Sequence, residues 1–244
     1  MAGTTELVTA DPTNSFSANA HADKLSSHPI SDDGRFVVFW TGASNMVSGV
    51  NGTNAFVRDL VNNQTYVLSR TATGAGSNGN NAVITPDGRY AAWVGSFNNT
   101  ASDVVDTNGV FDVFRSDLAN LNNITNRLVS VRADGVNSGN DNSGLINNGG
   151  PDTPEISPDG RYIAFMSRAS NLVGGAIDGN NADPTANNRR DVLIRDMQNN
   201  VTSYVSTALG ASTAVIAARS RLRSTIRPRV AVASLWRSKA RPRT

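Results

Sequence analysis

The side chains best suited to chemistry in this sequence are two clusters of Asp and Asn in glycine-containing loops. They are Asp106, Asn108 and Asp112 in the first cluster and Asp178, Asn180 and Asp183 in the second. Calcium takes roughly six to eight oxygen ligands from carboxylates, amides and carbonyls, so each loop is a candidate calcium site. Asx-Gly turns have the same composition without any metal, and neither loop matches a complete EF-hand. Both interpretations stay open, and no other cofactor is expected.

No catalytic residue is predicted. The two histidines, His21 and His28, lie in one polar connector, where such a pair is more often at the surface than on a metal. The absence of cysteine excludes disulfides, thiolate metal sites and thiol nucleophiles. Motifs such as H-E-x-x-H, G-x-S-x-G and the P-loop are missing from the sequence. These observations argue against the common enzyme classes.

A repeated hairpin positions the candidate loops. Residues 156–167 read I-S-P-D-G-R-Y-I-A-F-M-S, and related copies occupy residues 30–41 and 84–95. In each copy an Asp can bond the backbone ahead of it, a Gly accepts positive φ, and an apolar run of strand-forming residues follows. An Asp-Gly pair in this setting predicts a β-hairpin. The turn residues are Asp33, Gly34, Asp87, Gly88, Asp159 and Gly160.

Each hairpin opens a longer repeat. A segment such as A-S-N-L-V follows it, then a loop rich in Asn, Asp and Gly, a third strand ending in R-D-L or a close variant, and a fourth strand. Four short strands per unit are typical of a β-propeller blade, and the three blades are predicted at about residues 26–70, 80–131 and 152–206. Trp40 and Trp93 are expected in the core. The R-D-L charges and the arginine after each turn are expected to form surface ion pairs of little energetic value.

The first residues match the end of a blade rather than its beginning. Residues 5–9, T-E-L-V-T, resemble the fourth strand and predict one leading strand, which either completes the last blade of a ring or marks a cut from a longer array. The predicted fold is therefore all-β: an incomplete β-propeller of about three four-stranded antiparallel blades plus one leading strand. Three blades alone would expose apolar faces, so further blades or self-association are expected to close the propeller.

The charge distribution separates residues 1–207, the repeats, from residues 208–244. The first segment holds all 20 acidic residues and 13 of the 22 Lys and Arg, a net charge of −7, whereas the second holds nine basic residues and no acid. Residues 208–244 are predicted to be a disordered or poorly packed basic tail. We interpret it as a degenerate or frameshifted fourth blade, which reading the gene in the other frames would test; an authentic solvated tail is the alternative. The arginine content is the only feature of this tail that favours nucleic-acid binding, so nucleic-acid binding is not expected.

The combination of P-D-G-R-Y-x-A-F with D-V-x-x-R-D-L resembles the TolB-type, WD-repeat-like propeller repeat of bacterial periplasmic and secreted proteins. The resemblance covers about residues 4–206. It implies a location at the bacterial envelope or outside the cell. The repeat and the absence of catalytic motifs together predict a non-enzymatic binding or scaffold module that binds protein or glycan ligands through its loop faces. The alternative is the propeller domain of a hydrolase or polysaccharide lyase. No apolar run is long enough to span a membrane, and no signal peptide is visible.

Overall fold

The chain forms three consecutive antiparallel sheets, which we call blades 1 to 3. The computed structural model describes residues 5–22, 25–71, 76, 78–96, 101–144, 152–175 and 190–206. Blade 1 contains β1 (Phe36–Thr41), β2 (Asn54–Asp59) and β3 (Gln64–Val67). Blade 2 contains β4 (Asn80–Ile84), β5 (Tyr90–Gly95), β6 (Asp112–Asp117) and β7 (Thr125–Leu128), with a 3-10 turn at Leu121–Asn123. Blade 3 contains β8 (Glu155–Ile156), β9 (Tyr162–Ser167), β10 (Asp191–Asp196) and β11 (Val201–Tyr204).

Within each blade the strands lie side by side in chain order, and every neighbouring pair is antiparallel. This is the arrangement of β-propeller blades, in which antiparallel strands follow one another across the sheet in chain order. The first strand of a blade also contacts the preceding blade: β4 packs against β1 and β2, and β8 against β4 and β5. The predicted all-β fold of antiparallel blades is confirmed.

Blade 1 differs from the four-stranded prediction, because its first strand is reduced to one bridge. Ile30 pairs with Val37 in an isolated antiparallel bridge, and the Pro29 carbonyl accepts a hydrogen bond from the Val38 N–H (2.7 Å). Proline has no N–H to donate, so the pairing cannot extend in that direction. Ile30 itself is 50% exposed and gains little from burial in the sheet.

The leading strand predicted at residues 5–9 is not formed, because the backbone there pairs locally instead. Ala10 bridges to Ser17, and the Thr9 carbonyl accepts the Ala18 N–H (2.7 Å). The Asp11 carboxylate accepts the N–H groups of Ser15 and Phe16 and closes the intervening turn. The segment is therefore a small side-chain-capped loop.

The apolar cores lie between blades. One cluster joins blades 1 and 2 through Phe36, Val57, Trp93 and Phe114, and another joins blades 2 and 3 through residues such as Phe165. Trp93 and Phe114 stack with ring centroids 4.7 Å apart. Alternate residues along each strand face opposite blades, so each central sheet is buried on both sides. Trp40 and Trp93 are both buried, as predicted from their place in the second strands.

The N-terminal segment covers the face of blade 1 that points away from blade 2. Val8, Ala18 and Ala20 pack against a buried cluster that includes Phe39 and Phe56. Three isolated blades predict an exposed apolar face at this end of the chain. The face is instead covered by the same loop that replaces the leading strand.

Residues 207–244 lie outside the described residues, so the interpretation of the basic segment stays a prediction. In the part of the chain that the structure describes, no helix is long and apolar enough to cross a membrane.

Candidate functional site

Each hairpin turn is closed by a hydroxyl, a carboxylate and the backbone. In blade 2 the Thr85 hydroxyl donates to Asp87 (2.6 Å) and accepts the Tyr90 N–H (2.9 Å). Asp87 also accepts the Arg89 N–H (2.9 Å), and the Gly88 N–H donates to the Thr85 carbonyl (2.9 Å). Blades 1 and 3 repeat these bonds with Ser31, Asp33 and Gly34 and with Ser157, Asp159 and Gly160. The three turn glycines have φ of +71°, +70° and +68°, a region that a residue with a Cβ rarely adopts.

The turn glycine of one blade lies against an aromatic ring of the preceding blade. A Cβ added at Gly88 would lie 2.6 Å from the Phe36 ring, and one at Gly160 would lie 2.2 Å from the Tyr90 ring. A Cβ at Gly34 would meet nothing within 4 Å. Glycine is therefore required in blades 2 and 3 for two reasons: the positive φ of the turn and the close approach of the neighbouring ring.

The aspartates of the R-D-L elements pair with the arginines that follow the turns. The pairs are Arg35–Asp59, Arg89–Asp117 and Arg161–Asp196, each with a shortest N–O distance of 2.7 Å. Burial alone would raise the pKa of Asp196, but hydrogen bonds from Arg161 and from backbone N–H groups lower it to about 2. Asp59 is fully buried, so the prediction of surface pairs is wrong for this carboxylate.

Arg58 and Arg195, the arginines of the same elements, are buried as well and form no described ion pair. Arg58 donates to the side-chain oxygens of Asn14 (2.5 Å) and Asn63 (3.2 Å), and Arg195 donates to Thr202 (3.2 Å). Burial lowers the pKa of both guanidinium groups. The surface prediction is wrong for these two residues, since alternate strand positions turn them toward packed faces rather than solvent.

Asp106, from the first predicted calcium cluster, is a buried carboxylate without a well-formed hydrogen bond among the described residues. It is 2% exposed, and neither carboxylate oxygen has a partner that satisfies hydrogen-bond geometry. Burial raises the pKa of Asp106, while the nearby Ser138 hydroxyl and Asn108 N–H act in the opposite direction. A buried polar group without a partner is uncommon in folded proteins, where ordered water or an ion usually satisfies it.

Asp112 lies beside Asp106 and is fully buried. Its two oxygens accept hydrogen bonds from the Ser130 hydroxyl and from the Asn108 side-chain amide (2.7 Å). Burial raises the pKa of Asp112 well above its usual value, and the charge of Asp106 raises it further. The structure therefore brings Asp106, Asn108 and Asp112 together, in a place where negative charge is unfavourable. Asp178, Asn180 and Asp183 lie outside the described residues.

Blade 1 has the same loop with neutral residues. From the A-S-N or A-S-D segment to the third strand the two loops have equal length, so Ser48, Val50 and Asn54 correspond to Asp106, Asn108 and Asp112. Asn54 accepts a hydrogen bond from Ser69 (2.9 Å), as Asp112 does from Ser130, and its amide donates to two loop carbonyls. The fold of the loop therefore does not require the two acids.

A groove of about 560 Å³ runs between the outer strands of blades 1 and 2. We call it the edge groove; its described lining includes Thr65, Tyr66, Arg70, Asn122, Asn123 and Thr125. Its floor is tied together by Asn126, whose side-chain amide donates to the Leu68 carbonyl of blade 1 (2.8 Å) and accepts from Ser116 (2.7 Å). The Trp93 indole donates to the same Ser116 hydroxyl (2.9 Å). No sequence motif marks this groove, because strands from two different repeats form it.

The histidines do not assemble a metal site in the described part of the chain. His28 lies 3.3 Å from Glu155, with both side chains exposed, and the His21 carbonyl accepts a hydrogen bond from Thr41 (2.9 Å). Among the described residues no group of three or more His, Cys, Asp or Glu side chains is placed to hold a metal. A cation at Asp106 and Asp112 would need amide, hydroxyl or carbonyl oxygens to complete its shell.

No protein-family model and no curated protein matches this sequence. Several solved structures are similar in fold. A protein assigned as TolB from Agrobacterium tumefaciens shares 14% identity over 76% of this chain and 48% of its own, with a TM-score of 0.42. The β-propeller domain of the Trilobed protease from Pyrococcus furiosus shares 12% identity over 79% of this chain and 44% of its own, also with a TM-score of 0.42. An oligogalacturonate lyase from Vibrio parahaemolyticus shares 12% identity over 80% of this chain and 44% of its own, with a TM-score of 0.43.

The chain spans less than half the length of each of these three proteins. A TolB-type protein is among them, as the hairpin and R-D-L repeat predicted. One fold can host unrelated functions, so the fold alone assigns neither a ligand nor a reaction to this chain.

Proposed function

We propose that this chain is a non-enzymatic, TolB-like propeller module that binds a ligand through the edge groove, in the periplasm or outside the cell. The groove carries the proposal, because its size lies within the range of roughly 300–1,000 Å³ that is usual for binding sites. Between the two outer strands it offers an extended polar surface rather than a closed pocket.

The chemistry of the groove favours a neutral glycan among the protein and glycan ligands expected for such a module. Its described lining combines the Tyr66 ring with the exposed amides Asn122 and Asn123 and with threonine hydroxyls, and it contains no carboxylate. Aromatic rings present a large, rigid surface with a polar edge, and amides both donate and accept hydrogen bonds, as sugar hydroxyls do. The single described charge in the lining is Arg70.

The full chain is to be screened by calorimetry against neutral oligosaccharides, acidic oligosaccharides and unrelated peptides. We expect binding of a neutral oligosaccharide that Tyr66→Ala and Asn122→Ala each weaken about tenfold or more, a loss of about 1.4 kcal/mol or more. Tyr66→Phe, which keeps the ring, should retain most of the affinity. Phe16→Ala is the matched control, since Phe16 is an exposed aromatic residue outside the groove.

Two results would contradict the proposal. Binding that is unchanged in the groove variants would place the ligand elsewhere, and selective binding of peptides would make the ligand a protein. Cleavage of an oligosaccharide during the measurement, visible as new reducing ends or unsaturated products, would replace the binding function with an enzymatic one.

A further inference from the structure

We propose that the blade 2 loop binds calcium at Asp106 and Asp112. This site is independent of the edge groove. It rests on the two buried carboxylates, on the unpartnered oxygens of Asp106, and on the oxygen-rich loop around them. The sequence predicts calcium at this cluster, and the structure adds the position of the cluster in the fold.

The unpartnered oxygens of Asp106 are the first argument. Asp112 accepts hydrogen bonds at both of its oxygens, whereas Asp106 has only the Ser138 hydroxyl and the Asn108 N–H nearby and no well-formed hydrogen bond. An ionised Asp106 would be a buried charge with no described basic partner, which is costly in a protein interior. A bound cation would neutralise the buried charge of both carboxylates at once.

The surroundings supply oxygen ligands and no described basic side chain. The Gly139 carbonyl lies 2.9 Å from the Asn108 side-chain nitrogen, and the Ser138 hydroxyl accepts the Thr107 N–H (3.4 Å). The Gly139 carbonyl and the Ser138 hydroxyl are oxygens of the kind that calcium prefers. The Asn108 side-chain nitrogen faces Asp112 and Gly139, while its oxygen accepts the Val110 N–H (2.8 Å). A set with no nitrogen or sulfur ligand disfavours zinc and copper.

The position of the loop indicates what the cation would do. Val105 pairs with Asn137 in an isolated parallel bridge, and the Ser138 N–H donates to the Val105 carbonyl (3.3 Å). The connector that leads from blade 2 to blade 3 thus crosses directly over the two acids. Calcium held there would fasten this connector to the blade 2 loop.

Blade 1 supports the assignment as an internal comparison. Its loop has the same length but carries Ser48 and Asn54 at the positions of the two acids. Asn54 donates to two carbonyls of the loop and accepts a hydrogen bond from Ser69, as Asp112 accepts one from Ser130. The acids in blade 2 are therefore specific to that blade and are not required by the repeat.

The test compares the full chain with Asp106→Asn and Asp112→Asn, with the exposed Asp134→Asn as a control of equal charge change. Calcium alone, at about 10 mM, is the probe, because extracellular calcium modules have dissociation constants of roughly 10⁻⁴–10⁻³ M. In wild type and Asp134→Asn we expect calcium to raise the melting temperature and chelator to lower it. In Asp106→Asn and Asp112→Asn we expect calorimetry to show one bound calcium fewer than in wild type. The part of the calcium-induced rise in melting temperature that comes from the blade 2 site should also be lost.

An equal calcium response in wild type and Asp106→Asn would overturn the proposal. It would also fail if calcium has no effect on wild type while Asp106→Asn raises the melting temperature by itself, which would mean that the two acids share a proton. Loss of the response in Asp134→Asn as well would indicate general charge screening rather than a site. None of these outcomes depends on whether the edge groove binds a glycan.

Discussion

The turn glycines allow a prediction in which one blade serves as the control for the others. Gly34, Gly88 and Gly160 have the same positive φ and the same hydrogen-bonded turn. Only Gly88 and Gly160 lie against a ring, Phe36 or Tyr90, at distances that a Cβ cannot occupy. Replacing each glycine by alanine therefore separates the cost of the backbone conformation from the cost of the ring contact.

The expected magnitudes follow from these two terms. The left-handed conformation costs a residue with a Cβ about 1–2 kcal/mol, and overpacking against a fixed neighbour costs about 1–3 kcal/mol more. Gly34→Ala should thus lower the free energy of unfolding by about 1–2 kcal/mol. Gly88→Ala and Gly160→Ala should lower it by about 2–5 kcal/mol, and valine at either position should cost more because of its branched Cβ.

Urea denaturation followed by tryptophan fluorescence and circular dichroism measures these differences, provided that the slope with urea is unchanged. A double-mutant cycle identifies their origin. With Phe36→Ala, which removes the ring, Gly88→Ala should cost no more than Gly34→Ala does in the wild-type background. Equal costs at all three glycines would refute the ring contact, and wild-type midpoints for all three would refute the positive-φ turn itself.

Two further predictions concern the polar contacts of the blades. The folded pKa of Asp196 is about 2, below its unfolded value, so its pairing with Arg161 stabilises the fold above about pH 4 and this contribution is lost as the pH falls toward 2. Asp196→Asn should therefore flatten the fall in unfolding free energy between pH 4 and pH 2, and an unchanged acid profile would contradict the lowered pKa. Asn126→Leu should lower the free energy of unfolding, measured by urea titration, by about 2 kcal/mol or more, because it leaves the Leu68 carbonyl without its donor. The control Asn123→Ala, at an exposed position, should change it by less than about 0.5 kcal/mol. Similar values for both variants would argue against the contact between blades.

The hairpins and the order of strands were accessible from the sequence because they are set locally. A hydroxyl, an Asp and a Gly within four residues specify the turn, and the strand that follows is set by alternating apolar residues. The first strand of blade 1 could not be judged in the same way. Its loss depends on Pro29, on the exposure of Ile30 and on competing contacts with blade 2, where the His28 carbonyl accepts the Ile84 N–H (3.0 Å).

The sites were less accessible because they depend on contacts between repeats. The spacing of Asp106 and Asp112 was visible, but their burial arises from the connector at residues 137–139, which lies about 30 positions further along the chain. The edge groove combines residues near 65 with residues near 125 and has no local signature. Arg58 illustrates the same limit: the alternation of strand positions is readable, but which of the two faces is covered depends on the N-terminal loop that supplies Asn14.

The contact between each turn glycine and the preceding ring gives the stack of blades a direction. Gly88 rests on Phe36 and Gly160 rests on Tyr90, so one side of a blade presents the ring and the other presents the glycine. Two copies of such a surface cannot meet ring to ring and keep this fit. A further blade adding at blade 3 would have to place its own turn glycine on Tyr162 and so continue head to tail. Repeated contacts of that kind generate a closed ring or an open filament, never a two-fold symmetric dimer.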